Sequence, residues 1–189
     1  MDTSGSAYTP FLESTEILLR GLCDDDTEAN YPQWFNSRDV CLHNSHHRFP
    51  YTRVEAKSFV ESLTNDKTRL VFAIVMKHDL LHVGNISLQN IDYICRSAEL
   101  AVIIGERKYW GRGIAFDAGK LLINHGFQQL NLRRISLGTS AENISMIKTA
   151  EKLGFTREGE KRQAHYKNGR YVDINMYGLL KDEWVFADS

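Results

Sequence analysis

The chain has 189 residues, with 23 basic and 24 acidic side chains and a net charge of −1. That length favours one domain, and 42% hydrophobic residues can bury a sizeable core. The balanced charge excludes a strongly basic nucleic-acid binder, and 13 glycines with 3 prolines exclude a disordered or collagen-like chain. Any phosphate recognition therefore has to come from a local site. No apolar run approaches the ~20 residues needed to span a bilayer, so no membrane partner is expected. Residues 1–14, MDTSGSAYTPFLES, lack a basic start followed by an apolar stretch and do not read as a signal peptide. They read as a flexible lead-in to a single domain over 15–185. Cys23, Cys41 and Cys95 are widely spaced and form no C-x-x-C pair. Reduced thiols in a cytoplasmic protein are the simplest account.

In chain order, TEILLRGL (15–22) reads as a strand. DDDTEANYPQWFNS (24–37) opens with cap candidates and acids that suit a helix start, and Pro32 limits or splits that helix. TRVEAKSFVESLTND (52–66) is a helix with Thr52 as cap, Glu55 at the capping-box position, and Val54, Phe59 and Leu63 on a broad apolar face. RLVFAIVMK (69–77) is apolar on both faces, as a central strand would be. LLHVGNISLQN (80–90) and YICRSAELAVIIG (93–105) follow with short connections, which predicts an antiparallel meander. GIAFDAGKLLINHGFQQL (113–130) has helical spacing, and RRISLGTS (133–140) is a strand. Asn143 caps a helix over 144–153 that stops at Gly154, in a left-handed cap. Asn168-Gly169 then joins two strands as a hairpin, with Tyr166 and Tyr171 facing each other. The expected fold is α/β: a mixed, mostly antiparallel sheet flanked by helices. The strand–helix–strand unit over 98–139 places two strands parallel.

Chemistry concentrates in ELAVIIGERKYWGRGIA (99–115). A strand runs into a loop carrying Gly111 and Gly113, and a long helix starts at once. Glycines there let backbone N–H groups face a ligand without a Cβ in the way. The unpaired N–H groups of the helix start favour a phosphate, and Arg107, Lys108 and Arg112 add positive charge. A lone G-x-G is weak evidence, and by itself it reads first as a glycine-rich turn between strand and helix. Its spacing fits neither the P-loop nor the dinucleotide fingerprint.

The wider context identifies more. RSAELAVIIGERKYWGRGIA (96–115), LNLRRISLGTSAEN (130–143), EKLGFTREGEKRQAHYKNGRYVD (151–173) and the final LLKDEW resemble the GCN5-related N-acetyltransferase (GNAT) superfamily. The nearest subgroup holds the ribosomal-protein, spermidine and surface-sugar acetyltransferases, and YPQWFNSRDV (31–40) looks like its substrate-side helix. The resemblance implies a strand pair that splays apart, with acetyl-CoA as co-substrate and no metal. Val102, Ile103 and Ile104 would bond the pantetheine arm. Lys108, Tyr109, Trp110, Gly111, Arg112 and Gly113, with Ile114 and Ala115, would hold the pyrophosphate. Asn143 would bond the pantetheine or the acetyl-bearing end, or serve as a plain N-cap, with Ser145 beside it. Lys148 and Lys152 would reach the adenosine phosphate or lie in solvent.

Glu99, an acid within an apolar strand, is the candidate base for the amine, with solvent exposure or an arginine partner as its structural alternative. Ala150 stands where many members carry the tyrosine that protonates the leaving thiolate. That role then falls to water, Ser145 or a hairpin tyrosine. His43, His46 and His47 lack a second ligand cluster. Their segment reads as a loop near the acceptor, where Arg48, Tyr51 and Arg53 meet substrate. Trp34, Phe35, Phe49 and Tyr51 read as core. The resulting expectation is direct transfer to a primary amine of a small molecule, a nucleotide-linked amino sugar before a polyamine or a protein N-terminus. A non-catalytic acyl-CoA sensor is the rival class. A homodimer paired through a sheet edge is among the expectations.

Overall fold

Every strand expected from alternation is present in the computed structural model, which describes residues 9–185. A two-residue strand β1 (Leu12–Glu13) precedes β2 (Ile17–Gly21), β3 (Leu70–Met76), β4 (His82–Asp92) and β5 (Ser97–Ile104). Then come β6 (Arg134–Ser140), β7 (Thr156–Lys167) and β8 (Arg170–Leu180). The helices are α1 (Asp24–Glu28), α2 (Tyr31–Phe35), α3 (Arg53–Ser62), α4 (Ile114–Gln128) and α5 (Ile144–Lys152). Strand order is β1-β2-β3-β4-β5-β6-β8-β7. All neighbours are antiparallel except β5 and β6, the pair joined by the α4 crossover. Leu12 pairs with Leu19, so the expected lead-in is already in the sheet at that point. Its first part, 1–8, lies outside the described residues.

Local chemistry accounts for the boundaries. The expected helix over 24–37 is two short helices, because Pro32 tolerates only a first helical turn and sits in that of α2. Thr52 and Glu55 cap α3 reciprocally, at 3.3 Å for the Glu55 N–H and 2.7 Å for the Thr52 N–H. The face that α3 buries differs from the expected one. Ala56 and Val60, one turn apart, are buried, whereas Val54 is 78% exposed. Phe49, expected in the core, is 83% exposed. Gly154 and the Asn168-Gly169 turn have the positive φ values their roles require, at 86°, 51° and 81°.

Alternation divides the sheet into two faces. Phe72, Ile74, Ile86, Leu88, Leu100, Ile135, Leu137, Tyr177 and Leu179 pack with Leu122, Ile123 and Phe127 of α4 and Ala150 of α5. Burial of each large side chain in that layer contributes about 1.5–3 kcal/mol. The opposite face of β4 is polar yet buried, at Asn85 and Ser87, beneath the layer of α1 to α3. There Arg20 of β2 donates to both Asp26 oxygens, at 2.8 and 2.7 Å. His82 Nδ1 lies 3.0 Å from Asp26 Oδ1, and its Nε2 is 2.8 Å from Asn85 Oδ1. This network ties α1 to the sheet. A second apolar cluster of Tyr31, Trp34, Phe35, Cys41, Ala56 and Val60 seats α2 and α3 beside it.

Candidate functional site

The parallel pairing of β5 with β6 runs through Ser97↔Arg134, Ala98↔Ile135 and Glu99↔Ser136. Beyond Glu99 the two strands part. β5 stays paired with β4 as far as Ile104, and β6 stays paired with β8 as far as Ser140. Each strand therefore turns an edge toward the gap, and helices begin on both sides of it. α4 starts after Gly113, whose φ of 80° supplies a left-handed N-cap without a side-chain bond. α5 starts after Asn143, whose Oδ1 accepts from the Met146 N–H at 3.2 Å. Neither helix can pair its first N–H groups internally.

A cleft of about 670 Å³ occupies this opening. Val102, Ile103 and Ile104 line it, with Tyr109, Trp110, Gly111, Gly113, Ile114 and Ala115 from the loop and the start of α4. Asn143, Ser145, Lys148 and Lys152 line the α5 side, and residues 39, 40 and 42–44 line the remaining wall. That wall is fastened at both ends. Asp39 pairs with Arg107 at 2.7 Å, and Lys167 Nζ donates to the Asn44 and His46 carbonyls at 3.1 and 2.6 Å. Thirteen of the fifteen residues singled out from sequence thus meet at the cleft or at its root.

Two of the expected cationic contacts are not on the cleft wall. Lys108 and Arg112 stand over the Tyr109 ring, at 4.9 and 5.3 Å from its centroid, so both charges are drawn to the buried aromatic. Tyr109 itself is anchored by its hydroxyl to Asp79 Oδ2 at 2.9 Å. Trp110 Nε1 donates to the Ile104 carbonyl at 2.8 Å, which takes one acceptor from the strand end. Glu99 is half-buried at the vertex of the splay, with Oε2 3.4 Å from Asn90 Nδ2, and the lining begins three residues further on. Ala150 is fully buried in the main core, so that position of α5 serves packing and faces no open slot.

Sequence reasoning missed Glu142, Ser140 and His165. Glu142 lines the cleft and holds Arg170 through two bonds, at 2.6 and 2.8 Å. No local pattern marks these three, because they come from a strand end, a turn and a distant hairpin. Tyr166 and Tyr171 do face each other, with ring centroids 4.9 Å apart. Among the described residues, no group of three or more His, Cys, Asp or Glu is arranged to hold a metal. No described helix is long and apolar enough to cross a membrane.

The strand end is also where α2 docks. An added Cβ at Gly105 would overlap the Trp34 ring, whose Nε1 donates to Glu106 Oε1 at 3.0 Å. Gly105→Ala should therefore push α2 away and cost about 1–3 kcal/mol by overpacking. Urea denaturation of the variant checks this, and an unchanged midpoint would show that Trp34 moves freely.

Comparison with known proteins agrees with this geometry. Residues 16–156 match the family model for the acetyltransferase (GNAT) domain. An uncharacterized N-acetyltransferase, p20, of Bacillus licheniformis is 36% identical over 114 residues, which are 60% of this chain and 64% of that protein. Spermidine N(1)-acetyltransferase of Escherichia coli is 34% identical over 70% of this chain and 69% of its own. The crystal structure of spermidine N-acetyltransferase from Vibrio cholerae, in complex with CoA and spermine, superposes with a TM-score of 0.81 at 26% identity. That match covers 90% of this chain and 98% of the other. A mostly antiparallel sheet, one parallel pair opening into a cleft, and a domain match over most of the chain lead to one assignment: this chain belongs to the acetyltransferase (GNAT) domain family.

Proposed function

We propose that this protein, as a single domain over 15–185, transfers the acetyl group of acetyl-CoA directly to a primary amine. The observation that carries this reading is the opening between β5 and β6 with α4 and α5 both starting at its mouth. An extended pantetheine arm suits the free edge of residues 102–104, as an added strand would. Gly111 and Gly113 have φ of 72° and 80°, and a Cβ on either would meet no protein atom within 4 Å. That open space beside the unpaired N–H groups of α4 fits a pyrophosphate. Lys148 and Lys152 fit the adenosine phosphate, and Asn143 and Ser145 stand toward the acyl end. None of Cys23, Cys41 and Cys95 lines the cleft, which leaves no thiol to carry the acetyl group covalently.

For the acceptor, the spermidine acetyltransferases among the relatives support a polyamine. The relatives named above do not support the nucleotide-linked amino sugar expected from sequence. A second reading rests on charge. The two acids on the cleft, Asp39 and Glu142, are already paired with Arg107 and Arg170. An amine that carries its own carboxylate suits such a neutralised, partly basic lining. A thiol-release assay across spermidine, spermine, an amino acid, a peptide and a sugar nucleotide tests both. We expect turnover with at least one of them. Tight coenzyme A binding with no turnover on any amine would replace the enzyme by a sensor.

A further inference from the structure

The backbone of β5 alternates between its two neighbours. The Gly105 N–H donates to the Val83 carbonyl of β4 at 2.9 Å. Residues 103 and 105 therefore turn their N–H and C=O groups toward β4, and residues 102 and 104 turn theirs toward the gap. Further back and in the same phase, the Ala98 carbonyl accepts from Ser136 Oγ of β6 at 3.2 Å. Beyond Glu99 this edge has no partner strand, and the Ile104 carbonyl is the last acceptor that β5 presents along it.

That acceptor is taken by a side chain. Trp110 Nε1 donates to it at 2.8 Å, so the loop folds back onto the strand it follows. The indole lines the cleft and is 43% exposed. Arg107 lies over its ring, 5.6 Å from the centroid, and pairs at 2.7 Å with Asp39 of the remaining wall. Next to it, Tyr109 is buried and bonded to Asp79. The loop backbone is anchored there, and the indole can leave by rotating its own side chain.

We propose that the Trp110 indole is a placeholder for coenzyme A: it holds the Ile104 carbonyl until an amide N–H of the pantetheine arm displaces it. The proposal rests on the reading of the cleft as the coenzyme site. The exchange is like for like. Indole and amide N–H groups are both neutral donors, so the carbonyl is satisfied before and after, and each bond is of modest net strength. A carbonyl oxygen has two lone pairs, so the contest is for space as well as for the acceptor. The ring stands at the edge along which an added strand would run. What braces the ring from behind is weak, because the Asp39–Arg107 pair is exposed to solvent. Coenzyme affinity is then reduced by the fraction of molecules whose indole still fills the edge.

Calorimetry on wild type, Trp110→Phe and Trp110→Ala tests this with two ligands. One is CoA and the other is adenosine 3′-phosphate 5′-diphosphate, which lacks the pantetheine. Phenylalanine removes the donor and keeps a ring, whereas alanine also clears the space. Both variants should bind CoA tighter by roughly 2- to 10-fold, with the larger gain for alanine. Affinity for the armless nucleotide should be unchanged. In wild type, CoA should alter tryptophan fluorescence and the armless nucleotide should not, and both variants should lose the response. Weaker CoA binding in Trp110→Ala overturns the proposal by making the indole a coenzyme contact, and unchanged binding overturns it by making the indole a bystander. An equal gain for the armless nucleotide overturns it as well, because the effect would then lie at the phosphates. If wild type binds neither ligand, the coenzyme reading fails first and takes the proposal with it.

Discussion

Asp26→Ala should unfold this protein more readily by about 3–5 kcal/mol, because it leaves a buried arginine without its countercharge. Asp26 is 3% exposed and Arg20 8%, and the carboxylate joins β2, α1 and β4 through Arg20 and His82. For a chain of this size the loss corresponds to a melting temperature lower by about 6–20 °C. A shift within about 0.5 kcal/mol would mean that water reaches the network and supports the charges.

The same group sets an acid-stability limit. Burial alone would raise the Asp26 pKa, but hydrogen bonds from Arg20 and His82 outweigh it and hold the carboxyl well below the usual carboxylate range. A depressed folded-state pKa contributes stability above the unfolded value of about 3.9, lost as pH falls toward the folded one. The gap between wild type and Asp26→Ala should therefore be constant from about pH 5 to 8 and narrow below about pH 4. Denaturant titrations at pH 7 and pH 3 read this directly.

Gly113→Val should weaken coenzyme A binding by roughly tenfold or more, about 1.4 kcal/mol, with the fold retained. Gly113 holds φ of 80°, and no protein atom lies within 4 Å of an added Cβ. The side chain would therefore project into the space proposed for the pyrophosphate and strain the α4 N-cap without striking the core. A β-branched residue resists positive φ, so the loop should also shift its N–H groups away from the ligand. Gly159→Val is the control: it too meets nothing within 4 Å, but on β7, away from the cleft lining. Calorimetry should separate the two. Equal affinities in the folded Gly113 variant and wild type would remove the loop from the site.

Much of the cleft lining was legible because its determinants are near neighbours in the chain. Gly111 and Gly113 follow a strand and precede a helix within a few residues, and Asn143 caps the helix that follows it. The charges were less legible. Lys108 and Arg112 read as ligand cations, yet the Tyr109 ring between them offered a nearer partner. Glu99 read as desolvated because its neighbours are apolar, but its side chain lies on the more polar sheet face, opposite Gln89 and Ser136.

The sequence by itself determined the order and type of the long elements, the hairpin turn, the helix caps, the glycine loop and the family they spell. Each is encoded by residues a few positions apart, where backbone sterics and side-chain period act directly. Only the tertiary structure decided where β5 leaves β6, which face α3 buries, and that Asp26 would meet Arg20 and His82. It alone brought His165 to a cavity shared with residues 42, 43 and 142. Those outcomes join segments from different elements, and the burial that pays for them is a property of the packed sheet and its two helical layers, with no local pattern to announce it.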